Sequence, residues 1–181
     1  MNEQSLHTKQ RVLGALRSSG ETFVATLRSL PAEAFEQGRY ESGWNARQIL
    51  AHVASIEWSY PRLLDVARES VAAGVVAPQG PVRRTEPEQA SGLPTRVAQG
   101  GIDAYNERQV AKRAGASVTD LLAEFQRNRA VLIEAVDAAD DRLFAAPIRS
   151  AGGVTGTLGD VLQAVAVQHI LGHMRDIAGT A

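Results

Sequence analysis

The chain has 181 residues, of which 44% are hydrophobic and 22% charged, with a formal net charge of −1 and no cysteine. That length suits a single domain over residues 1–181 with a core large enough to fold unaided, and the missing cysteine excludes disulfides, thiolate metal sites and cysteine nucleophiles. Near-neutral charge excludes a protein built around nucleic acid, and no apolar run approaches the ~20 residues of a membrane span.

The opening Met1-Asn2-Glu3-Gln4-Ser5 is polar and has no apolar signal segment, so a cytoplasmic setting is expected. From Gln4 to about Leu30, Leu6, Val12, Leu13, Leu16, Phe23, Val24 and Leu27 recur at helical spacing, as one buried stripe requires. Ser18-Ser19-Gly20 weakens this helix and predicts a bend there. Pro31 stops it. The second helix begins at Asn45, which with Gln48 forms an Asn-x-x-Gln capping box, while Trp44 and Ile49 are placed as a hydrophobic staple. Its inward face carries Ile49, His52, Val53, Ile56, Tyr60 and Leu63, and Pro61 predicts a kink or break near Trp58–Tyr60.

Between Gly74 and Gly101 periodicity dissolves into a long loop containing Pro78, Pro81, Pro87, Pro94, Gly80, Gly92 and Gly100. A short extra helix through Ile102, Asn106, Gln109 and Val110 ends near Gly115. Ser117 and Asp120 then cap a long helix whose apolar face is Leu121, Leu122, Phe125, Leu132 and Val136. Phe144–Arg149 is the one strand candidate, and Pro147 argues against it. After the glycine-rich stretch Ala151–Gly156, Thr157 and Asp160 cap the last helix, which runs to about Ala178 with Gly179 as its stop. The expected fold is therefore all-α: a four-helix bundle with a long Pro/Gly-rich loop and no sheet.

Chemistry concentrates on histidine. His169 and His173 lie four apart and project from one helical face, in line with Leu158, Leu162 and Val165, so both are expected to point inward. His52 lies on the inward face of the second helix. Three neutral imidazoles converging from two helices can hold a divalent cation and leave coordination positions open. The competing reading, in which these are hydrogen-bonded core histidines, remains open from the residues alone. His7 is expected to be solvated. A His-Glu-x-x-His protease is excluded, because Ile170 stands where the glutamate base belongs. Gly152-Gly153-x-x-Gly156-x-x-Gly159 lacks the following Lys-Ser/Thr of a phosphate loop and reads as a flexible lead-in to a helix. Arg83-Arg84 and the carboxylates Glu86, Glu88, Asp140 and Asp141 read as solvated surface, and Asn106 as a core hydrogen-bonding residue.

Two segments carry a family resemblance. Trp44-Asn45-Ala46-Arg47-Gln48-Ile49-Leu50-Ala51-His52 resembles the helix-two segment of the DinB/YfiT-like superfamily of metal-binding four-helix bundles, with its first ligand histidine. Gln168-His169-Ile170-Leu171-Gly172-His173 resembles the last-helix motif that supplies the other two. Tyr105-Asn106-Glu107-Arg108 and the helix after Ser117 are similar to members related to mycothiol-dependent maleylpyruvate isomerases. The resemblance implies a zinc, nickel or similar site at His52, His169 and His173, a homodimer, and relatives that include thiol S-transferases using mycothiol or bacillithiol. Those isomerases have a His, Glu, His set; His169 stands at the glutamate position and points to the three-histidine branch.

The function expected is that of a divalent-metal-dependent enzyme activating a thiol or water toward a small-molecule substrate, thiol S-transferase-like or hydrolase-like. A low-molecular-weight thiol is its expected co-substrate. The alternatives are a non-catalytic bundle binding a metal or small molecule, and a structural dimer whose histidines only hydrogen-bond.

Overall fold

A computed structural model describes residues 3–38, 43–75, 82–84, 92–95 and 98–179. Pro78, Gly80, Pro81, Glu86, Pro87 and Glu88 of the expected loop lie outside the described residues, as does the side chain of Leu6. Helix α1 spans Glu3–Arg28, and its stripe residues Val12, Leu13, Leu16, Phe23, Val24 and Leu27 are all buried. The helix runs unbroken through Ser18-Ser19-Gly20, whose small residues serve packing. A Cβ on Gly20 would meet the Arg129 side chain at 3.4 Å, and Ser19 Oγ accepts from Arg129 Nη1 at 3.3 Å.

Helix α2, Ala46–Glu57, starts with the predicted box: Asn45 Oδ1 accepts from the Gln48 amide at 2.8 Å and Gln48 Oε1 from the Asn45 amide at 2.9 Å. Pro61 has no amide hydrogen for the Glu57 carbonyl, so α2 ends there and α3 resumes over Arg62–Ala72. Helix α4, Ile102–Lys112, packs on α2; α5, Val118–Ala138, begins at the Ser117–Asp120 box. The last rod has three parts: α6 over Leu158–Leu162, a π turn over Gln163–Gln168, and α7 over His169–Ala178, closed by Gly179 at φ 69°. α1, α2, α5 and this rod form the four-helix bundle. Its centre is apolar, with Phe23 and Phe125 rings 4.6 Å apart.

The expected absence of a sheet needs correcting. Strands β1 (Arg83–Arg84), β2 (Pro147–Arg149) and β3 (Val154–Thr157) form an antiparallel sheet in the order β1-β3-β2. Pro147 is compatible with this because it opens an edge strand, where a missing amide costs little. The glycine-rich stretch is likewise not a flexible lead-in. Gly153, at φ 86°, turns the β2–β3 hairpin, and Gly159 lets α1 approach, since a Cβ there would lie 2.5 Å from Thr8 Cγ2 and 3.3 Å from the Phe144 carbonyl oxygen.

Gly159→Ala is therefore expected to lower stability by about 1–3 kcal/mol through overpacking. Adding Thr8→Ser removes the opposing methyl and should restore most of the loss in urea unfolding; a single variant as stable as the parent would contradict this contact.

Candidate metal centre

The three predicted histidines come together. One ligand-capable atom from each of His52, His169 and His173 lies within 4.8 Å of the others. The His52 ring stands nearly perpendicular to both partners, with centroids 5.8 Å from His169 and 5.2 Å from His173. His169 and His173 face each other through Nε2 atoms 2.9 Å apart. An ion with ~2.0–2.1 Å bonds to imidazole sets neighbouring nitrogens about 3.4 Å apart in a tetrahedral site. Small ring rotations bridge the difference.

Each ring has a different hold. His52, in the middle of α2, is buried, and its Nδ1 has no hydrogen-bond partner among the described residues. The Trp44 ring leans on it at 5.3 Å and is itself tethered by its indole N–H to Glu107 Oε1 at 3.1 Å. His173 donates through Nδ1 to Asp176 Oδ2 at 3.1 Å, one turn along α7. The Val165 carbonyl lies near enough to the His169 ring to favour its protonated form, against the larger effect of burial.

The Asp176 contact favours an Nδ1 proton on His173, which turns its Nε2 lone pair toward His169 across 2.9 Å; a cation or the Nε2 proton of a neutral His169 satisfies it. The charged forms are disfavoured: burial and the neighbouring histidines lower His52 to about 3, and burial, His173 and the Arg84 charge lower His169 to about 4. Burial lowers His173 too, although Asp176 pulls the other way. Three neutral nitrogen donors, one buried without a partner, fit a borderline divalent cation.

The expectation that both His169 and His173 point inward needs correcting. His173 is buried but His169 is exposed. The reason is the π turn. Leu158, Val161 and Leu162 upstream and Ala166, Ile170, His173 and Ile177 downstream are buried. At 3.6 residues per turn the two sets would be out of phase by roughly 100°, and the π turn absorbs that angle. An unbroken helix would hold His169 in line with Leu162; the actual one rotates it to the rim. Its ring is still hemmed in by neighbours, but the residue opens the site to solvent.

Other sequence candidates separate from the site or change role. His7 is exposed, as expected. Asn106 Oδ1 is buried without a hydrogen-bond partner among the described residues, so it is not the core hydrogen bond anticipated. Arg83 and Arg84 are exposed on β1, yet Arg84 is close enough for its charge to act on His169. Asp176 was missed, although its i+3 spacing from His173 was visible; the Val165 carbonyl has no side-chain signal to find.

A sequence profile for the DinB superfamily matches residues 15–177. No curated protein sequence matches. Among solved structures, the mycothiol-dependent maleylpyruvate isomerase is similar, with a TM-score of 0.64 at 16% identity over 93% of this chain; the chain spans only 60% of that protein's length. YfiT from Bacillus subtilis, described as a probable metal-dependent hydrolase with an unusual four-helix bundle topology, has a TM-score of 0.55 at 16% identity. That match covers 95% of this chain and 85% of YfiT. At such identity the likeness is one of fold. No helix among the described residues is long and apolar enough to cross a membrane.

The lowered histidine values carry a sign. Below pH 6.5 the unfolded chain takes protons on these imidazoles, while folded His52 and His169 do so only near pH 3 to 4. The unfolded state binds more protons across that window, so stability falls as pH falls through it. In chelator-treated protein, His52→Gln is expected to flatten the fall between pH 6 and pH 4 by about 1.4 kcal/mol per pH unit, one proton's worth. Parallel stability curves for parent and variant would show that His52 is not held neutral by the fold.

Proposed function

The chain belongs to the DinB superfamily, and on that footing we propose that it is a divalent-metal-dependent enzyme whose ion is held by His52, His169 and His173. The observation that carries this reading is the convergence of one ligand-capable atom from each of His52, His169 and His173 within 4.8 Å, on rings whose charged forms are disfavoured. When bound, such an ion supplies Lewis acidity that makes a thiol or a water nucleophilic at neutral pH.

The protein's own residues do the remaining work. Asp176 fixes the His173 ring with its second nitrogen toward the centre. Trp44 covers His52 on one flank, which keeps that side dry. The exposed rim at His169 admits a substrate, and the positive charge of Arg84 there favours an anionic group such as a thiolate or carboxylate. Since neutral imidazoles cancel none of a dication's charge, the site suits an anionic nucleophile or a developing oxyanion. The substrate class proposed is a small electrophile with a low-molecular-weight thiol as co-substrate, or with water in a hydrolase. Zinc or nickel as the ion, a homodimer as the assembly and a cytoplasmic setting complete the proposal.

Purified protein is expected to take up one divalent ion per chain and to melt at a higher temperature when loaded, because the ion binds the folded state. His52→Ala and His173→Ala should each lose that uptake; stoichiometric metal retained in both variants would refute the ligand set. Turnover of an electrophile with a thiol in the loaded parent, absent from both variants, separates the enzyme from a metal-storing bundle.

A further inference from the structure

The π turn is held from outside. In an unbroken α-helix the His169 amide would bond the Val165 carbonyl; here it bonds Ala164 instead. The Val165 carbonyl then accepts from the Tyr60 hydroxyl at 2.7 Å and lies beside the His169 ring. The next carbonyl, Ala166, accepts from Arg129 Nη2 at 2.9 Å. Arg129 comes from α5 and is itself fixed by Glu57 Oε2 at 2.9 Å, the Leu16 carbonyl at 3.2 Å and Ser19 Oγ at 3.3 Å. Arg129, Glu57 and Tyr60 are all buried. Two other segments of the bundle thus converge on two consecutive carbonyls just before a proposed ligand.

We infer that Tyr60 and Arg129 are positioning residues for the metal centre: their donors at Val165 and Ala166 hold the π turn that rotates His169 to the point it shares with His52 and His173. The inference rests on the metal-holding role proposed above for the trio. Neither residue touches the centre. Tyr60 acts through the carbonyl that the π turn frees beside the His169 ring, so losing its hydroxyl loosens the turn. Arg129 acts one residue further along and ties the turn to α1 and α2. A π turn needs such support because its hydrogen-bond register is rarely adopted by a helix left to itself.

The test is a thermodynamic cycle on zinc affinity with the full-length chain. Tyr60→Phe keeps the ring and removes only the hydroxyl; it should weaken zinc binding by about 10–100-fold, the usual scale for the partner of a metal-ligating histidine. In a His169→Ala background the same change should alter affinity less than about twofold, because its effect runs through His169. A loss of equal size in both backgrounds, or none in either, would overturn the inference while the parent's metal binding stands. A parent that takes up no metal overturns the site itself and this inference with it. Arg129→Lys is the second variant: it keeps a charge for Glu57 but has no fork to reach Glu57 and the Ala166 carbonyl with one nitrogen and Leu16 and Ser19 with the other, and the same His169-dependent loss is expected.

Discussion

Two imidazole nitrogens opposed across 2.9 Å set the terms for the rest of this molecule. The fold commits the Nδ1 of His173 to a carboxylate, which leaves its Nε2 lone pair toward His169. It buries His52 beside them with an Nδ1 that has no partner among the described residues, a cost a stable core does not normally carry. Burial disfavours the charged form of all three rings. One small volume thus collects three neutral nitrogen donors, the set a borderline divalent cation takes.

That arrangement depends on a helix that departs from α geometry at one place. Without the π turn, the last rod would bury either its first half or its second half correctly, but not both. Compensation comes from a buried ion pair, Glu57 with Arg129, joined to Ser19 and two main-chain carbonyls. Burial pushes the Glu57 carboxyl upward and the Arg129 charge restrains it, so the pair is best understood as one structural unit. Such a pair adds little net stability over an apolar replacement, whereas losing one partner leaves a buried charge and costs about 3–5 kcal/mol. Its use here is geometric: the guanidinium is the only group described that links α1, α2 and the π turn at once. Small residues at Ser19 and Gly20 make room for it, which explains what a stretch of poor helix formers does within an unbroken α1.

Much of this was legible in the sequence wherever the cause is local. The boxes at Asn45–Gln48 and Ser117–Asp120, the cap at Thr157 and the break before Pro61 each depend on a few neighbouring residues, and each is present. The histidine trio was legible because spacing of four on one helix and an apolar flank on another are periodic signals. The rim position of His169 was not, since projecting it from Leu158 and Leu162 assumes an unbroken period of 3.6. The sheet was missed because Pro147 was weighed as a strand breaker without knowing that it opens an edge, and because β1 pairs with β3 from far along the chain. Arg129 stands four residues after Phe125 and three before Leu132, on the buried stripe of α5, so its place was legible; its partners on α1, α2 and the last rod were not. Long-range pairing and main-chain acceptors leave almost no mark on residue type.

The surroundings of position 169 also bear on which donor belongs there. A carboxylate at this position can only accept, so it could not donate to the Val165 carbonyl as an imidazole N–H can. It would also lower the net charge of a dication with two imidazoles to about +1, where three neutral rings leave it at about +2. The higher charge polarises a bound anionic group more strongly, and Arg84 on the open side adds to it. Exposure at the rim makes either residue type affordable in burial terms, so burial does not choose between them. What favours histidine is the acceptor beside it: a carbonyl released by the π turn and bonded by Tyr60 repels a carboxylate, whereas a neutral ring can meet it with an N–H and still present a second nitrogen to the centre.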